Sequence, residues 1–398
     1  MISPNTIKKD VGNIFNYIKK IRNTIHQYPE LSFQEYKTSR LITYELDRLN
    51  IEYQKVLDTG IVAKIGNDRK CIALRADIDA LPVTEETGVE FISKAKGIMH
   101  ACGHDTHTAM LLGAARLLKK YEKGINGCIL FIFQPGEEKL PGGALQIIET
   151  GILNNPKPEF IYGQHVYPAG NTGTVSIGSG YVMASADELY WTIKGKEAHA
   201  AQPHLGNNPL TIAADIIAQS QTLLNSTKKP TDSAVLTITS IHGGAAPNII
   251  PNEVKISGTL RTFNNELRYE LLKKIEEISL RLATNSGCEC DFSPEIGYPP
   301  LKNDKIATKI AENTALDLLG NEKTKYFEPK MWAEDFSYYY EKAGIPSCFW
   351  FLGVKPEHIN EMPGLHHSQF LPEEEAMLTG TAMLISVALN SLKQITST

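Results

Sequence analysis

Four short segments of the chain carry side chains of the types that commonly bind metal ions in proteins. The first is Cys102-Gly103-His104, in which a thiolate and an imidazole lie two residues apart. Gly103 lets the backbone turn, so that both side chains can reach one metal centre. The alternative is an ordinary helix start, with Asp105 as the N-cap and the histidines incidental. This segment favours metal binding but does not decide it.

Two further segments follow strand-like runs. Glu137 and Glu138 come directly after CILFIFQ, and two adjacent carboxylates at the carboxyl end of a strand can divide between a metal ion and a substrate. His165 ends FIYGQH, while Asp77 and Asp79 follow CIALR and share one side of an extended chain. Taken singly, the carboxylate pair also fits a solvated acidic turn, and the histidine fits a structural hydrogen bond.

The fourth segment is His366-His367, which follows the apolar run SCFWFLG. Adjacent histidines are often surface residues, so this pair is uninformative by itself. All four segments, however, fall where the carboxyl edge of a sheet is expected. Together they supply sulfur, nitrogen and oxygen ligands in the number that a two-metal hydrolytic site requires. The combination predicts one such site.

The elements that would position these side chains alternate along the chain. Apolar residues at helical spacing from Val11 to Ile25 predict an opening amphipathic helix, and those at 105–120 predict another. Near-continuous apolar runs between the helices predict strands of a sheet that is covered on both faces. These runs are 61–66, 71–76, 128–134, 160–165 and 347–353.

Residues 187–295 have a different pattern. They predict strand 189–194, helix 209–224, strands 233–241 and 253–263, helix 266–284 and strand 288–293. This is the β-α-β-β-α-β order of a ferredoxin-like unit. The sequence therefore predicts an inserted domain at 186–296, within a discontinuous α/β domain formed by 1–185 and 297–398.

Composition excludes several classes of protein. The 398 residues are 42% hydrophobic and 21% charged with a formal net charge of −5, and no basic run points to nucleic acid or an anionic membrane. No secretory signal and no uninterrupted apolar membrane span are evident. The six cysteines are scattered, and Cys288 and Cys290 are too close for an unstrained disulfide. We expect a reducing compartment, the cytoplasm.

The motifs ACGHDTHT, QPGEE, GQH and LHH, in this order, resemble the aminoacylase and carboxypeptidase family of metallopeptidases, and specifically its amidohydrolase branch. That branch includes hippurate hydrolases, N-acyl-amino-acid amidohydrolases and auxin-conjugate hydrolases. The resemblance runs from Arg22 to Phe370. It implies a zinc-peptidase-like, three-layer α/β catalytic domain with an inserted ferredoxin-like α+β domain that acts as a lid and dimerises.

The resemblance also implies roles for individual residues. Glu137 matches the general base, and Asp79 matches an acidic residue that supports the metal site. Two divalent metal ions are implied in each subunit; zinc or manganese suits the ligand types, and cobalt or nickel is tolerated. The implied metal ligands are Cys102, His104, Glu138, His165 and His366.

In the inserted domain, His199 matches a histidine that reaches the active site of the partner subunit, which implies a homodimer. Asn248 and Arg261 lie in stretches that resemble substrate-binding segments. Two positions depart from the usual pattern of the branch. Ser368 replaces a proline after the paired histidines, and Ala333 replaces Gly or Ser before Glu334. Neither change removes an implied ligand or the base.

The expected function is therefore metal-dependent hydrolysis of the amide bond in a small N-acyl amino acid, which releases a carboxylic acid and a free amino acid. Two alternatives remain. A dipeptidase or aminopeptidase can be built on the same fold, although the peptidase branches generally lack the cysteine ligand found here at Cys102. A catalytically inactive, dimeric metal-binding protein is the other, but such a protein has no use for Glu137 beside Glu138.

Overall fold

The computed structural model describes residues 2–66, 70–229 and 231–397. The helices are α1 (Pro4–Asn13), α2 (Phe15–Gln27), α3 (Tyr36–Arg48), α4 (His104–Tyr121), α5 (Gly143–Glu149), α6 (Pro209–Thr227), α7 (Asn265–Asn285), α8 (Lys305–Leu319), α9 (Ser337–Glu341) and α10 (Ala376–Ser397). The strands are β1 (Glu52–Val56), β2 (Gly60–Gly66), β3 (Cys71–Asp77), β4 (Cys128–Gln134), β5 (Phe160–Asn171), β6 (Val175–Ile177), β7 (Gly180–Met183), β8 (Asp187–Lys194), β9 (Ala198–His199), β10 (Ala234–Gly243), β11 (Ile249–Ile250), β12 (Glu253–Thr262), β13 (Glu289–Glu295), β14 (Leu301–Asn303), β15 (Thr324–Tyr326) and β16 (Ser347–Lys355).

The chain forms two compact units. Unit 1 comprises Met1–Val182, Lys302–Glu328 and Asp335–Thr398. Unit 2 comprises Met183–Leu301 and Pro329–Glu334. Residues 329–334 therefore belong to unit 2, whereas the sequence analysis places them with the α/β domain. The reason lies in backbone pairing, because Ala184 N–H donates to the Trp332 carbonyl oxygen and Met183 forms a bridge with Lys330.

Unit 1 is built on an eight-stranded mixed sheet with the order β1-β2-β4-β3-β5-β16-β6-β15. Its central strands β4, β3, β5 and β16 run parallel to one another. Every residue of β3 and β4 is buried. Because side chains alternate between the two faces of a strand, the sheet must be covered on both faces. The α/β class predicted from the apolar runs is confirmed.

The parallel strands bring their carboxyl ends to one edge of the sheet. β3 ends at Asp77, and β4 ends at Gln134, directly before the Glu137-Glu138 pair. β5 continues beyond His165 to Asn171, further than the apolar run suggests. The sheet thus positions two of the four chemistry-bearing segments at this edge, the Glu137-Glu138 pair and the segment of His165 with Asp77 and Asp79.

Helix α10 is the most apolar long helix of the described chain and lies in the core of unit 1. It packs against α4, α8 and β3. Ala376–Thr396 is long and apolar enough to cross a membrane, yet 72% of its apolar 18-residue window is buried inside the protein. A core helix of a folded domain has this character.

The opening helix predicted from Val11 to Ile25 is interrupted. The structure has α1 and α2, separated at Ile14, whose φ of −106° and ψ of 9° are not helical. Gly12 and Asn13 precede the break, and both residue types have low helix propensity. The apolar spacing survives the break because Val11 and Ile18 both lie in the core of unit 1.

Unit 2 contains a four-stranded antiparallel sheet with the order β10-β12-β8-β13. Helices α6 and α7 pack against each other and against this sheet. The order of elements is β8-α6-β10-β12-α7-β13, the β-α-β-β-α-β pattern that the sequence predicts. A second, two-stranded sheet pairs β9 with β11.

Candidate metal centre

Unit 1 brings together all five side chains implied as metal ligands. The ligand atoms of Cys102, His104 and His165 lie within 4.8 Å of one another, and so do those of Cys102, Glu138 and His366. Cys102 belongs to both groups. A third group joins His104 to Glu137 and Glu138. The donor set would therefore suit two neighbouring divalent cations.

The start of α4 sets the geometry of Cys102 and His104. Gly103 has φ 82°, in the left-handed region that glycine adopts without strain, and a Cβ there would press on Val166. Asp105 does not cap the helix, contrary to the alternative considered from sequence. Its buried carboxylate accepts hydrogen bonds from Arg22 Nε at 2.9 Å and His26 Nδ1 at 2.8 Å, which fixes the helix start to α2.

Asp79 orients His104. Its Oδ1 lies 3.1 Å from His104 Nδ1, and a carboxylate can only accept this bond, so Nδ1 carries the proton. Nε2 is the nitrogen left to face a metal ion, once it has lost any proton of its own; it is buried and has no hydrogen-bond partner among the described residues. Burial lowers the pKa of His104, but the charges of Asp77 and Asp79 outweigh burial and raise this pKa to about 10. A field that attracts a proton to Nε2 also attracts a metal cation.

The other carboxylate oxygen of Asp79 reaches the second ligand segment. Asp79 Oδ2 accepts hydrogen bonds from Glu138 N–H at 3.0 Å and from Ser32 Oγ at 2.7 Å. Asp79 thereby couples the position of His104 to that of Glu138. Partners of this kind, which hold the ligands without touching the metal, orient metal sites in proteins.

His165 presents its Nε2 to Cys102, with 3.3 Å between Nε2 and Sγ. Its Nδ1 donates to the Val166 carbonyl oxygen at 2.8 Å. His107 holds this segment, because Val166 N–H donates to His107 Nε2 at 2.9 Å while His107 Nδ1 donates to Asp77 at 2.6 Å. Burial and the neighbouring His107 keep the pKa of His165 well below its ordinary value, so the ring is neutral and can ligate.

The surroundings of Cys102 do not favour a nucleophilic thiolate. Burial, together with the charges of Glu138 and Glu137, raises the pKa of its thiol well above the ordinary value. Nucleophilic cysteines have the opposite shift, because their surroundings stabilise the thiolate. Only a nearby cation would offset these carboxylates and favour the thiolate here.

Glu138 and His366 complete the second group. Glu138 Oε1 has no hydrogen-bond partner among the residues that the structure describes; it lies 3.3 Å from His366 Nε2 and 3.9 Å from His104 Nε2. His366 N–H donates to the Ala101 carbonyl oxygen at 2.8 Å, which holds it beside Cys102. Its φ is 65°, a conformation that costs a non-glycine residue about 1–2 kcal/mol. Strain of this kind is concentrated at functional sites.

A buried polar network lies at the same carboxyl ends, and the sequence analysis does not identify it. Arg75 donates to Gln134 Oε1 at 2.9 Å, to Asp335 Oδ1 at 2.8 Å and to Asp77. Asp335 also accepts from Ala144 N–H at 2.9 Å. An arginine within an otherwise apolar buried strand is the available signal, since a buried charge must be paired. Asp335 lies in the segment 332–336, which resembles a site-edge motif of the family, but the pattern does not pair it with Arg75.

Unit 2 carries the remaining site residues implied by the resemblance. His199 lies in β9 opposite Ile249 of β11, and Ala200 N–H donates to the Asn248 carbonyl oxygen at 2.9 Å, so His199 and Asn248 are neighbours. His199 is exposed in the single chain. Arg261 lies on a different strand, β12, and donates to the Met331 carbonyl oxygen at 3.3 Å.

Comparison with known proteins agrees with this architecture. The model of the peptidase family M20/M25/M40 matches residues 73–390. An N-acetyl-L-cysteine deacetylase of Bacillus subtilis is 38% identical, and the match covers 92% of this chain and 86% of the relative. An IAA-amino acid hydrolase of Arabidopsis thaliana is 37% identical, and the match covers 96% of this chain and 88% of the relative. A solved structure from Bacillus subtilis, described as a dinuclear metal binding peptidase from the M20 family, is similar with a TM-score of 0.82 and 34% identity, covering 96% of this chain and 99% of that one.

The sequence resemblance is thus confirmed over nearly the whole chain. The matched segment includes all five implied ligands and the paired carboxylates. The protein is a metal-dependent amidohydrolase or peptidase by class, and the chain belongs to peptidase family M20/M25/M40.

Proposed function

We propose that the protein hydrolyses the amide bond of N-acyl amino acids and binds two divalent metal ions in each subunit. The observation that carries the proposal is the position of Glu137, whose carboxylate lies within 4.8 Å of His104 and Glu138 among the candidate ligands. A base at the rim of a two-metal donor set is the arrangement required for hydrolysis by an activated water. The two relatives, an N-acetyl-L-cysteine deacetylase and an IAA-amino acid hydrolase, support an acyl-amino-acid substrate.

The residues of the chain divide the chemistry among them. When bound, the metal ions lower the pKa of water and polarise the amide carbonyl. Glu137 takes the proton of the attacking water and returns it to the departing nitrogen, because an amide anion is too poor a leaving group. Glu137 is 6% exposed, and removal from bulk solvent strengthens its interaction with the charges around it.

The donor types favour zinc or manganese. One sulfur and three imidazoles suit zinc, while the carboxylate also accommodates manganese, cobalt or nickel. We further propose that the protein works in the cytoplasm. The cysteines are scattered along the sequence, and Cys288 and Cys290 are too close for an unstrained mutual disulfide, which supports a reducing compartment.

A peptidase is the second candidate function, because the similar Bacillus subtilis structure is described as one. A matrix of acetyl, benzoyl and indole-acetyl amino acids, with matched dipeptides, separates the two. We expect release of free amino acid from acylated substrates at a kcat/KM well above that for any dipeptide. Faster hydrolysis of the dipeptides would favour the peptidase, and no hydrolysis by metal-loaded protein would favour an inactive metal-binding protein.

We also propose that two subunits pair through unit 2, which then acts as lid and dimerisation domain. β10 is an edge strand of the four-stranded sheet, and its exposed side chains include Val235 and Ile241. An unprotected edge of this kind pairs readily across a two-fold axis. His199 would then complete the neighbouring site as an oxyanion donor, and its exposure in the single chain leaves it free to do so.

Complementation tests the shared site. We expect Glu137→Gln and His199→Ala each to be impaired alone, with a loss of about 10²–10³-fold for the missing oxyanion donor. A mixed dimer rebuilds one site, with the base from the second chain and the histidine from the first, so activity should return on co-expression. Two differently tagged Glu137→Gln chains are the matched control. No recovery in verified heterodimers would refute sharing across the interface.

A further inference from the structure

The turn formed by Pro135 and Gly136, directly before Glu137, packs against residues 33–35. Gly136 has φ 63°, and a Cβ there would collide with the Phe33 ring. Phe33 itself has φ 65°, which is strained for a phenylalanine. On the other side of the turn, a Cβ on Gly60 would lie 2.9 Å from Pro135 Cδ. The turn before Glu137 therefore has little room to move.

Glu35 makes the hydrogen bonds between residues 33–35 and this turn. Its Oε1 accepts hydrogen bonds from Gly136 N–H at 2.9 Å and from Phe33 N–H at 2.8 Å. Its Oε2 accepts from the Thr59 hydroxyl at 2.6 Å. One carboxylate thus joins the residue next to Glu137 to two other segments of unit 1. Hydrogen bonds to a charged acceptor are the stronger ones in proteins.

Burial of the ionised Glu35 carboxylate away from water costs free energy. Glu35 is fully buried, and the groups that donate to it in the described structure are neutral. Burial raises the pKa of Glu35 to about 7, even though the hydrogen bond from Thr59 lowers it. A neutral side chain would fill the same space without this cost. Groups held so far from their ordinary pKa are concentrated at functional sites.

We propose that Glu35 is a positioning residue for the general base, acting through its hydrogen bond to Gly136 N–H. The proposal rests on the proposed function, because it assigns Glu35 a role only through Glu137. A shift of the base by about 1 Å is enough to cost about 10²-fold in rate. Substrate binding, by contrast, does not depend on Glu35 directly.

Three variants separate positioning from a general contribution to stability. Glu35→Leu removes both acceptor oxygens at similar size, and we expect kcat to fall by about 10²-fold with KM and metal content unchanged. Glu35→Gln keeps an acceptor oxygen for Gly136, and we expect it to restore most of the lost kcat. Glu45→Leu is the matched control, because Glu45 is a buried carboxylate of α3 that bonds Arg48 and has no part in the turn.

Hydrogen exchange gives a readout that needs no substrate. We expect the peptide containing Gly136 to exchange faster in Glu35→Leu and in Glu35→Asp, whose shorter side chain withdraws from Gly136, but not in Glu45→Leu. Unchanged exchange and kcat in folded Glu35→Asp would overturn the proposal, even if Glu35→Leu failed to fold. A wild-type protein inactive on every acyl amino acid would refute the proposed function, while the exchange result would still decide whether Glu35 holds the turn.

Discussion

Replacement of Glu137 by Gln should lower kcat by about 10²–10⁴-fold, the contribution typical of a positioned general base. Gln has nearly the shape of Glu but cannot take a proton from water. Because the side chains of Cys102, His104 and His165 are untouched by this change, we expect the metal content to remain at the wild-type level. Steady-state kinetics on an acyl amino acid, with metal analysis of the same sample, measures both quantities.

Glu149→Gln is the matched control for this variant. Glu149 is an exposed residue at the end of α5, so the same loss of charge there should leave kcat unchanged. If Glu137→Gln retained near-wild-type turnover, another group would have to move the proton. If it lost its metal together with its activity, Glu137 would be a ligand and the base would have to be sought elsewhere.

Removal of metal should abolish activity and lower the melting temperature. The five candidate ligands come from four separated segments, so bound cations tie these segments together. The free energy of binding then adds to the free energy of unfolding, by about 2.7 kcal/mol when free metal exceeds its dissociation constant a hundredfold. Dialysis against a strong chelator, followed by calorimetry and assay with and without added zinc or manganese, measures the effect.

Cys102→Ser provides the specific form of this test. Since the Cys102 sulfur belongs to both ligand groups, we expect the variant to lose affinity at both sites and to lose activity with it. The control is Cys348→Ser, because Cys348 is buried in β16 and belongs to neither group. Full activity after exhaustive chelation, or an acyl group trapped on Cys102, would contradict a metal-ligand role.

The sequence predicts most of the parallel sheet because its signals are local. The apolar run at 128–134 has the same bounds as β4, and the apolar run at 71–76 is one residue shorter than β3. Apolar strands bounded by loop residues are recognisable without any tertiary contact. The same reasoning places His165 and Glu138 at one edge, because the parallel strands β4, β3 and β5 point their carboxyl ends in the same direction, although β5 continues to Asn171.

The parts that sequence could not predict depend on contacts between distant segments. Arg75 and Asp335 are 260 residues apart and meet in one hydrogen bond. The sequence does not decide the role of Asp105, because that role depends on a hydrogen bond from Arg22 of another helix. The break at Ile14 was missed because apolar periodicity continues across it. Burial of Glu35 beneath the Gly136 turn likewise follows only from the fold.

Unit 1 is formed by segments that lie before and after unit 2 in the chain, and this order matters during translation. β5 pairs in parallel with β16, and every residue of unit 2 lies before β16 in the chain. A nascent chain can therefore complete unit 2 while β5 still lacks this neighbour and presents an open, aggregation-prone edge. His366 leaves the ribosome later still. We expect the full set of candidate ligands, and with it tight metal loading, only after His366 has been synthesised.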